Sequence, residues 1–89
     1  MERQELMELL GMKVVDKVTE FKGVVTSISF DLYGCIQVLV SPGTDEQGKY
    51  RDSRWFDTQR LRVTSKKPVM ERPNFEGEKG PAEKPIDYR

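Results

Sequence analysis

The chain has 89 residues, with 15 acidic and 15 basic side chains and a net charge of zero at pH 7. This length allows one small domain, and the neutral balance excludes the strongly basic surface typical of many nucleic-acid-binding domains. The chain has no histidine, which removes the usual general base and the commonest nitrogen ligand for metals. A single cysteine, Cys35, excludes an intrachain disulfide.

The first ten residues favour a helix. Acidic side chains in the first turns suit the helix dipole, and the leucines at 6, 9 and 10 form an apolar stripe. Gly11 can end the helix in a left-handed conformation. We therefore predict an N-terminal helix over 1–10, with a frayed terminus as the alternative.

From residue 13 the pattern becomes that of short strands. Residues 13–18 predict a strand, and 19–23 predict a turn in which Gly23 adopts a positive φ. Residues 24–30 alternate, which predicts a strand. We expect its buried face to be the one that carries Val24, Thr26, Ile28 and Phe30.

The second half of the domain continues this pattern. After a turn at 31–34, residues 35–40 predict the most apolar strand, with Ile36, Val38 and Val40 on one face and Cys35, Gln37 and Leu39 on the other. Residues 41–52 are rich in turn formers. We then predict a strand at 53–56 and a helical turn at 57–60 with Asp57 as its N-cap. A last strand follows at 61–63, with Leu61 and Val63 inward.

The composition changes after Thr64. Residues 64–89 contain four of the five prolines and few periodic apolar residues, which predicts a flexible, disordered tail. Its isolated apolar residues are either anchors for a partner or ordinary tail residues. They are Val69, Met70, Phe75, Ile86 and Tyr88.

Together these elements predict a mainly β fold. About five short antiparallel strands cannot form a thick sandwich, whereas a closed or nearly closed small barrel removes exposed edges. We expect an SH3-like barrel over 11–63, with a short N-terminal helix over 1–10 and a flexible C-terminal tail over 64–89. Cys35 is expected to be a small packing residue.

Two resemblances support this prediction. The opening strand, glycine turn and second strand resemble SH3-like barrels, including KOW domains. Most of 11–63 is similar to a family of short phage- and prophage-encoded proteins of uncharacterised role, which implies a phage or prophage origin, a small β-barrel and no catalytic assignment. The matching positions are Gly11, Lys13, Val14, Asp16, Val18, Thr19, Phe21, Gly23, Thr26, Gly34, Cys35, Gln37, Pro42, Trp55, Phe56, Asp57 and Leu61.

The only tryptophan, Trp55, is followed directly by Phe56. Neighbouring residues in a strand point to opposite faces, so we expect Phe56 in the core and Trp55 partly exposed. An exposed tryptophan is typical of recognition surfaces. The alternative is that the N-terminal helix or another protomer covers it.

Five further residues are candidates for the same surface. Gln37, expected to be half-buried, needs a partner from the backbone or from a ligand. Asp57 is either a helix cap or a ligand acceptor. Tyr33, Arg54 and Arg60 offer the stacking and phosphate contacts with which small barrels bind single strands, but the acidic residues of the same domain favour an ordinary solvated surface. Asp16 is placed to pair with an arginine across the sheet; an exposed pair would add little stability, so a role in binding a ligand stays open.

The sequence has no metal-ligand spacing, phosphate-binding glycine loop or nucleophile elbow. We therefore expect no enzyme, no cofactor and no metal site. The expected function is a binding or assembly module in the host-cell cytoplasm, acting through a phage protein, a host protein or a second copy, and not through a membrane. The alternatives are a KOW-like nucleic-acid binder and a counter-defence protein that sequesters a small nucleotide.

Overall fold

The computed structural model describes residues 3–75. One α-helix, five strands and one 3-10 helix follow each other along the chain. They are α1 (Arg3–Met7), β1 (Lys13–Asp16), β2 (Lys22–Phe30), β3 (Ile36–Ser41), β4 (Arg54–Asp57), the 3-10 helix (Thr58–Arg60) and β5 (Leu61–Val63). The mainly β prediction is confirmed, and every predicted strand is present within a few residues of its expected bounds.

The five strands form one antiparallel sheet in the order β4-β3-β2-β1-β5. The prediction of a closed barrel is wrong, because within residues 3–75 the outer strands β4 and β5 do not pair with each other. The 3-10 helix joins them directly and turns the chain from one edge of the sheet to the other. Both outer strands are short and carry charged residues, which is a common protection for open edges.

The core lies on one face of this curved sheet. Val14, Val25, Val38, Val40 and Phe56 form its buried cluster. The partly buried residues that pack against the cluster come from the N-terminal turn, β2, the loop before β2, and β5; they are Leu9, Leu10, Phe21, Ile28 and Leu61. The predicted inward face of β3 is confirmed, since Val38 and Val40 are fully buried. Val63, expected inward, is half exposed.

The predicted buried face of β2 is wrong in its first half. Val25 is buried, whereas Thr26 is exposed, because a β-bulge between Val25 and Ser27 shifts the register against β3. One extra residue in a strand reverses the alternation of its side chains. Val25 and Ile28 therefore both face the core, and the strand ends with Phe30 half exposed instead of buried.

The turn between β1 and β2 differs from the prediction at one residue. The positive φ belongs to Glu20, with a value of 68°, and Gly23 lies inside β2. Gly23 is required for a different reason: a Cβ there would collide with the Ser41 carbonyl oxygen and lie 2.7 Å from Val40 Cγ1. The glycine thus permits a close approach of β2 and β3.

The N-terminal segment is held by residues that follow β5. α1 is shorter than predicted, and Gly11 adopts the expected left-handed conformation with φ 85°. The Val69 N–H donates to the Gly11 carbonyl at 2.8 Å. Arg72 donates to the carbonyl oxygens of Leu10 at 2.8 Å and Glu8 at 2.6 Å. We call residues 64–72, which make these contacts, the clasp.

The clasp occupies the beginning of the predicted tail. Val69, Met70 and Phe75 keep exposed side chains, with 53 %, 71 % and 61 % of their surface accessible. The remaining predicted anchors, Ile86 and Tyr88, lie outside the described residues. The contacts of the clasp therefore extend the packed region beyond residue 63 as far as Arg72.

Candidate functional site: the outer face of β2, β3 and β4

Trp55 and Phe56 divide between the two faces of β4 as predicted. Phe56 is 7 % exposed, packs against Phe21 with 5.4 Å between ring centroids, and has the guanidinium carbon of Arg60 at 5.3 Å from its ring centre. Trp55 is 47 % exposed and lies opposite Leu39 across the β3–β4 ladder. The Phe56 ring therefore closes the core, and the Trp55 ring belongs to the outer face.

The outer face combines two cross-strand rows. One row runs Ser27–Leu39–Trp55 and the other Ser29–Gln37–Asp57. Residues directly opposite in an antiparallel pair lie on the same face, so these six side chains form one surface, which we call the Trp55 face. Asp57 is its only charged member.

Gln37 and Asp57 contact each other on the Trp55 face. The amide Nε2 of Gln37 donates to Asp57 Oδ1 at 3.4 Å. Gln37 lies on β3 between Ser29 of β2 and Asp57 of β4, and it is exposed and not half-buried as predicted. Asp57 occupies the N-cap position of the 3-10 helix, but its side chain makes no capping hydrogen bond. The predicted cap is thus wrong in its chemistry and right in its position.

Arg60 belongs to a separate site. Its Nε and Nη2 donate to the two carboxylate oxygens of Asp16 at 2.9 Å and 2.6 Å. Asp16 has no exposed surface, and it also accepts bonds from the backbone N–H groups of Val18 and Thr19 and from the Thr19 hydroxyl. The bidentate guanidinium and these further donors hold the pKa of Asp16 well below its usual range.

The Asp16–Arg60 pair has a structural role. It connects the end of β1 with the 3-10 helix, where the Lys17 N–H also donates to the Arg60 carbonyl at 2.7 Å. The sequence prediction of an arginine partner for Asp16 is confirmed, but the carboxylate is buried and not exposed. Arg60, a candidate for the surface of Trp55, is committed to this pair.

Arg54 and Tyr33 lie apart from the Trp55 face. Arg54 is opposite Val40 and lines an open groove with Phe21, Lys22 and Tyr50. Tyr33 lies in the turn between β2 and β3 and is 86 % exposed. The structure therefore brings together Trp55, Gln37 and Asp57 from the predicted set and separates Arg54, Arg60 and Tyr33 from them.

Sequence reasoning predicted the turn between β2 and β3 but missed the exposed apolar surface that it carries. Asp31 Oδ1 accepts the backbone N–H groups of Tyr33 at 3.0 Å and Cys35 at 2.9 Å, which fixes the turn. Leu32 is 90 % exposed beside Tyr33, and Cys35, expected to be a packing residue, is exposed too. The signal was a gap in the charge pattern, since Asp31 is the only charged residue between Gly23 and Thr44.

Among residues 3–75, the basic side chains do not gather into one patch. Besides Arg60, Arg51 donates to the Thr44 carbonyl at 2.6 Å, and Arg72 belongs to the clasp. Lys22 and Arg54 share their groove with the acidic side chains of Glu20 and Asp52. The arrangement lacks the continuous positive stripe that phosphate backbones require.

Three further observations concern metals, membranes and relatives. Within residues 3–75, no three acidic or cysteine side chains come together in a group able to hold a metal ion. No helix in the same range is long and apolar enough to cross a membrane. Comparisons with protein families, curated proteins and solved structures found no match to this chain. The resemblance to short phage proteins therefore stays a prediction.

Proposed function

We propose that this chain is a non-catalytic binding module that acts through protein–protein contacts made by the Trp55 face. One observation carries the proposal: a half-exposed tryptophan on an edge strand, within a surface that has a single charge. The centres of protein interfaces are depleted of charged residues and enriched in tryptophan and tyrosine.

The edge position of Trp55 adds a second means of recognition. β4 pairs with β3 on one side, and no strand of the described residues pairs with its other side. An extended peptide can add to such an edge through backbone hydrogen bonds, while a neighbouring pocket or ring selects its side chains. Trp55 would provide that selection.

The SH3-like fold, the origin and the cellular location of the chain also belong to this proposal. Five antiparallel strands, with a 3-10 helix between the two outer ones, support an SH3-like arrangement that is open between β4 and β5. The phage or prophage origin and the host-cell cytoplasm rest on the sequence resemblance. The dispersed basic residues argue against the nucleic-acid alternative.

The test uses a photoreactive benzoylphenylalanine at position 55 in the full chain, expressed in bacterial cells. Tyr50 is the matched control position, since it is an aromatic residue with 89 % exposure in a charged loop. We expect illumination to give one discrete adduct with another protein from position 55 and none from position 50. Equal adducts from both positions, or adducts with nucleic acid alone, would contradict the proposal.

A second measurement separates the nucleic-acid alternative directly. Trp55 fluorescence is followed while a short single-stranded oligonucleotide is added at several salt concentrations. Binding that quenches Trp55 and weakens steeply with salt would favour the KOW-like alternative. We expect no quenching by the oligonucleotide.

A further inference from the structure

β2 is longer than its neighbour β1 and leaves part of its own edge uncovered. β1 pairs with β2 only from Lys22 to Val24, and two hydrogen bonds between Val25 and the preceding segment extend this cover by one residue. β3 pairs with the opposite side of β2 as far as Phe30. In residues 3–75, nothing pairs with the β1 side of β2 over residues 26–30.

The ladder identifies which backbone groups face this open edge. The Asp31 N–H donates to the Cys35 carbonyl at 3.2 Å, so this pair is a hydrogen-bonded one. Hydrogen-bonded and non-hydrogen-bonded pairs alternate along an antiparallel ladder. Ser29 therefore bonds to β3, whereas the N–H and C=O groups of Ile28 and Phe30 point to the open edge. Neither of these two residues makes another backbone hydrogen bond within the described part of the chain.

The chemistry of this edge differs from that of the two outer strands. Residues 26–30 read TSISF, with no charge, no proline and a strong preference for strands. Arg54, Asp57 and Arg62 protect the edges of β4 and β5 with charge. An exposed, uncharged, β-prone edge is a template for pairing with another strand. Phe30, 52 % exposed beside this edge, adds apolar surface to be covered.

We propose that a second copy of this chain pairs with this edge and forms a two-fold symmetric dimer. Ile28 of each copy lies opposite Phe30 of the other, Ser29 faces Ser29 across the axis, and the two sheets become continuous. Two identical antiparallel strands satisfy each other in this register, because each outward N–H and C=O group meets its counterpart. The aromatic–β-branched pairs of Phe30 and Ile28 stabilise it.

The lack of charge is what favours a second copy as the occupant. Asp31 is the only charged residue between Gly23 and Thr44 in the sequence, and its carboxylate accepts backbone N–H groups within its own turn. Two copies therefore meet without repulsion between like charges. The proposal concerns the open backbone edge of β2 and not the edge of β4, and it does not depend on the proposed function. Ser29, which lies at the axis, is also a member of the Trp55 face.

The test measures the mass of the full chain by sedimentation equilibrium over a range of concentrations. Ser29→Lys and Ser29→Glu each bring two like charges to the axis. Gln37→Lys is the matched control, because Gln37 is the cross-strand neighbour of Ser29 on the same face, away from the open edge. Two unit charges about 5 Å apart near a protein surface repel enough to weaken association roughly tenfold or more.

We expect a monomer–dimer equilibrium for the natural chain, weaker dimers for both Ser29 variants and no change for Gln37→Lys. An equimolar mixture of Ser29→Lys and Ser29→Glu should regain the dimer as a heterodimer, which also shows that both variants are folded. A natural chain that stays monomeric would overturn the proposal. So would a dimer that the Ser29 variants do not weaken, equal weakening by Gln37→Lys, or a mixture that does not associate.

Discussion

Adjacent aromatic residues in β4 should contribute very differently to stability. Phe56→Ala removes a ring that is 93 % covered, taken from its exposure of 7 %, whereas Trp55→Ala removes one that is about half exposed. The two variants alter the same strand at neighbouring positions. Any difference between their free energies of unfolding therefore reflects the face on which each ring lies and not the strand that they share.

The buried areas set the expected magnitudes. An aromatic side chain offers roughly 200 Å² for burial, so Phe56 contributes up to about 5 kcal/mol at about 25 cal/mol per Å². Large-to-small changes of this kind cost about 3–5 kcal/mol. Trp55 buries about half of roughly 250 Å² and leaves no closed cavity, so we expect a loss of about 2–3 kcal/mol.

The assay is urea unfolding of both variants and of the natural chain, followed by circular dichroism because Trp55→Ala removes the only tryptophan. A domain of this size has a free energy of unfolding of roughly 4–13 kcal/mol, so Phe56→Ala should remove about a quarter or more of it. If Trp55→Ala costs as much as Phe56→Ala, the division of β4 into a core face and an outer face is wrong.

Three further predictions concern the buried ion pair, the glycine in β2 and the clasp. Because the pKa of Asp16 is lowered in the folded state, the carboxylate contributes stability above its ordinary pKa of 3.8 and loses this contribution as the pH falls below that value. The free energy of unfolding should therefore fall less steeply with acid in Asp16→Asn than in the natural chain. Gly23→Ala should lower the melting temperature strongly, because the added Cβ would collide with Ser41 and Val40. Gly43→Ala should lower it less, because its Cβ meets open space and only the positive φ of residue 43 opposes the substitution. In Arg72→Lys, the ammonium group cannot reproduce the forked pair of hydrogen bonds from the guanidinium to two carbonyl groups. This variant should therefore show faster hydrogen exchange at the Gly11 and Met12 amides and unchanged exchange in β3.

The strands were predictable because local signals agree with the final packing. The alternation of β3 is regular, and its inward valines occupy the middle of the core. β2 shows the limit of this reasoning: its sequence alternates without interruption, and the bulge after Val25 arises from its pairing with β3. A register shift is a property of two strands together, and no pattern in one of them reveals it.

The candidate site likewise has one part that the sequence predicts and another part that depends on distant residues. The opposite orientation of Trp55 and Phe56 follows from strand geometry alone. The engagement of Arg60 does not, because its partner Asp16 is 44 residues away along the chain and the pair forms only when β5 lies beside β1. The failure of the barrel to close depends on how the 3-10 helix directs the chain between its two outer strands.

The clasp determines where this polypeptide can be shortened. A fragment that stops after β5 would retain all five strands yet leave the carbonyl groups of Glu8 and Leu10 without their guanidinium donor, and the Gly11 carbonyl without the Val69 N–H. The smallest autonomous folding unit therefore runs through Arg72. For expression, labelling or fusion to another protein, the boundary belongs after the clasp and not at the end of the sheet.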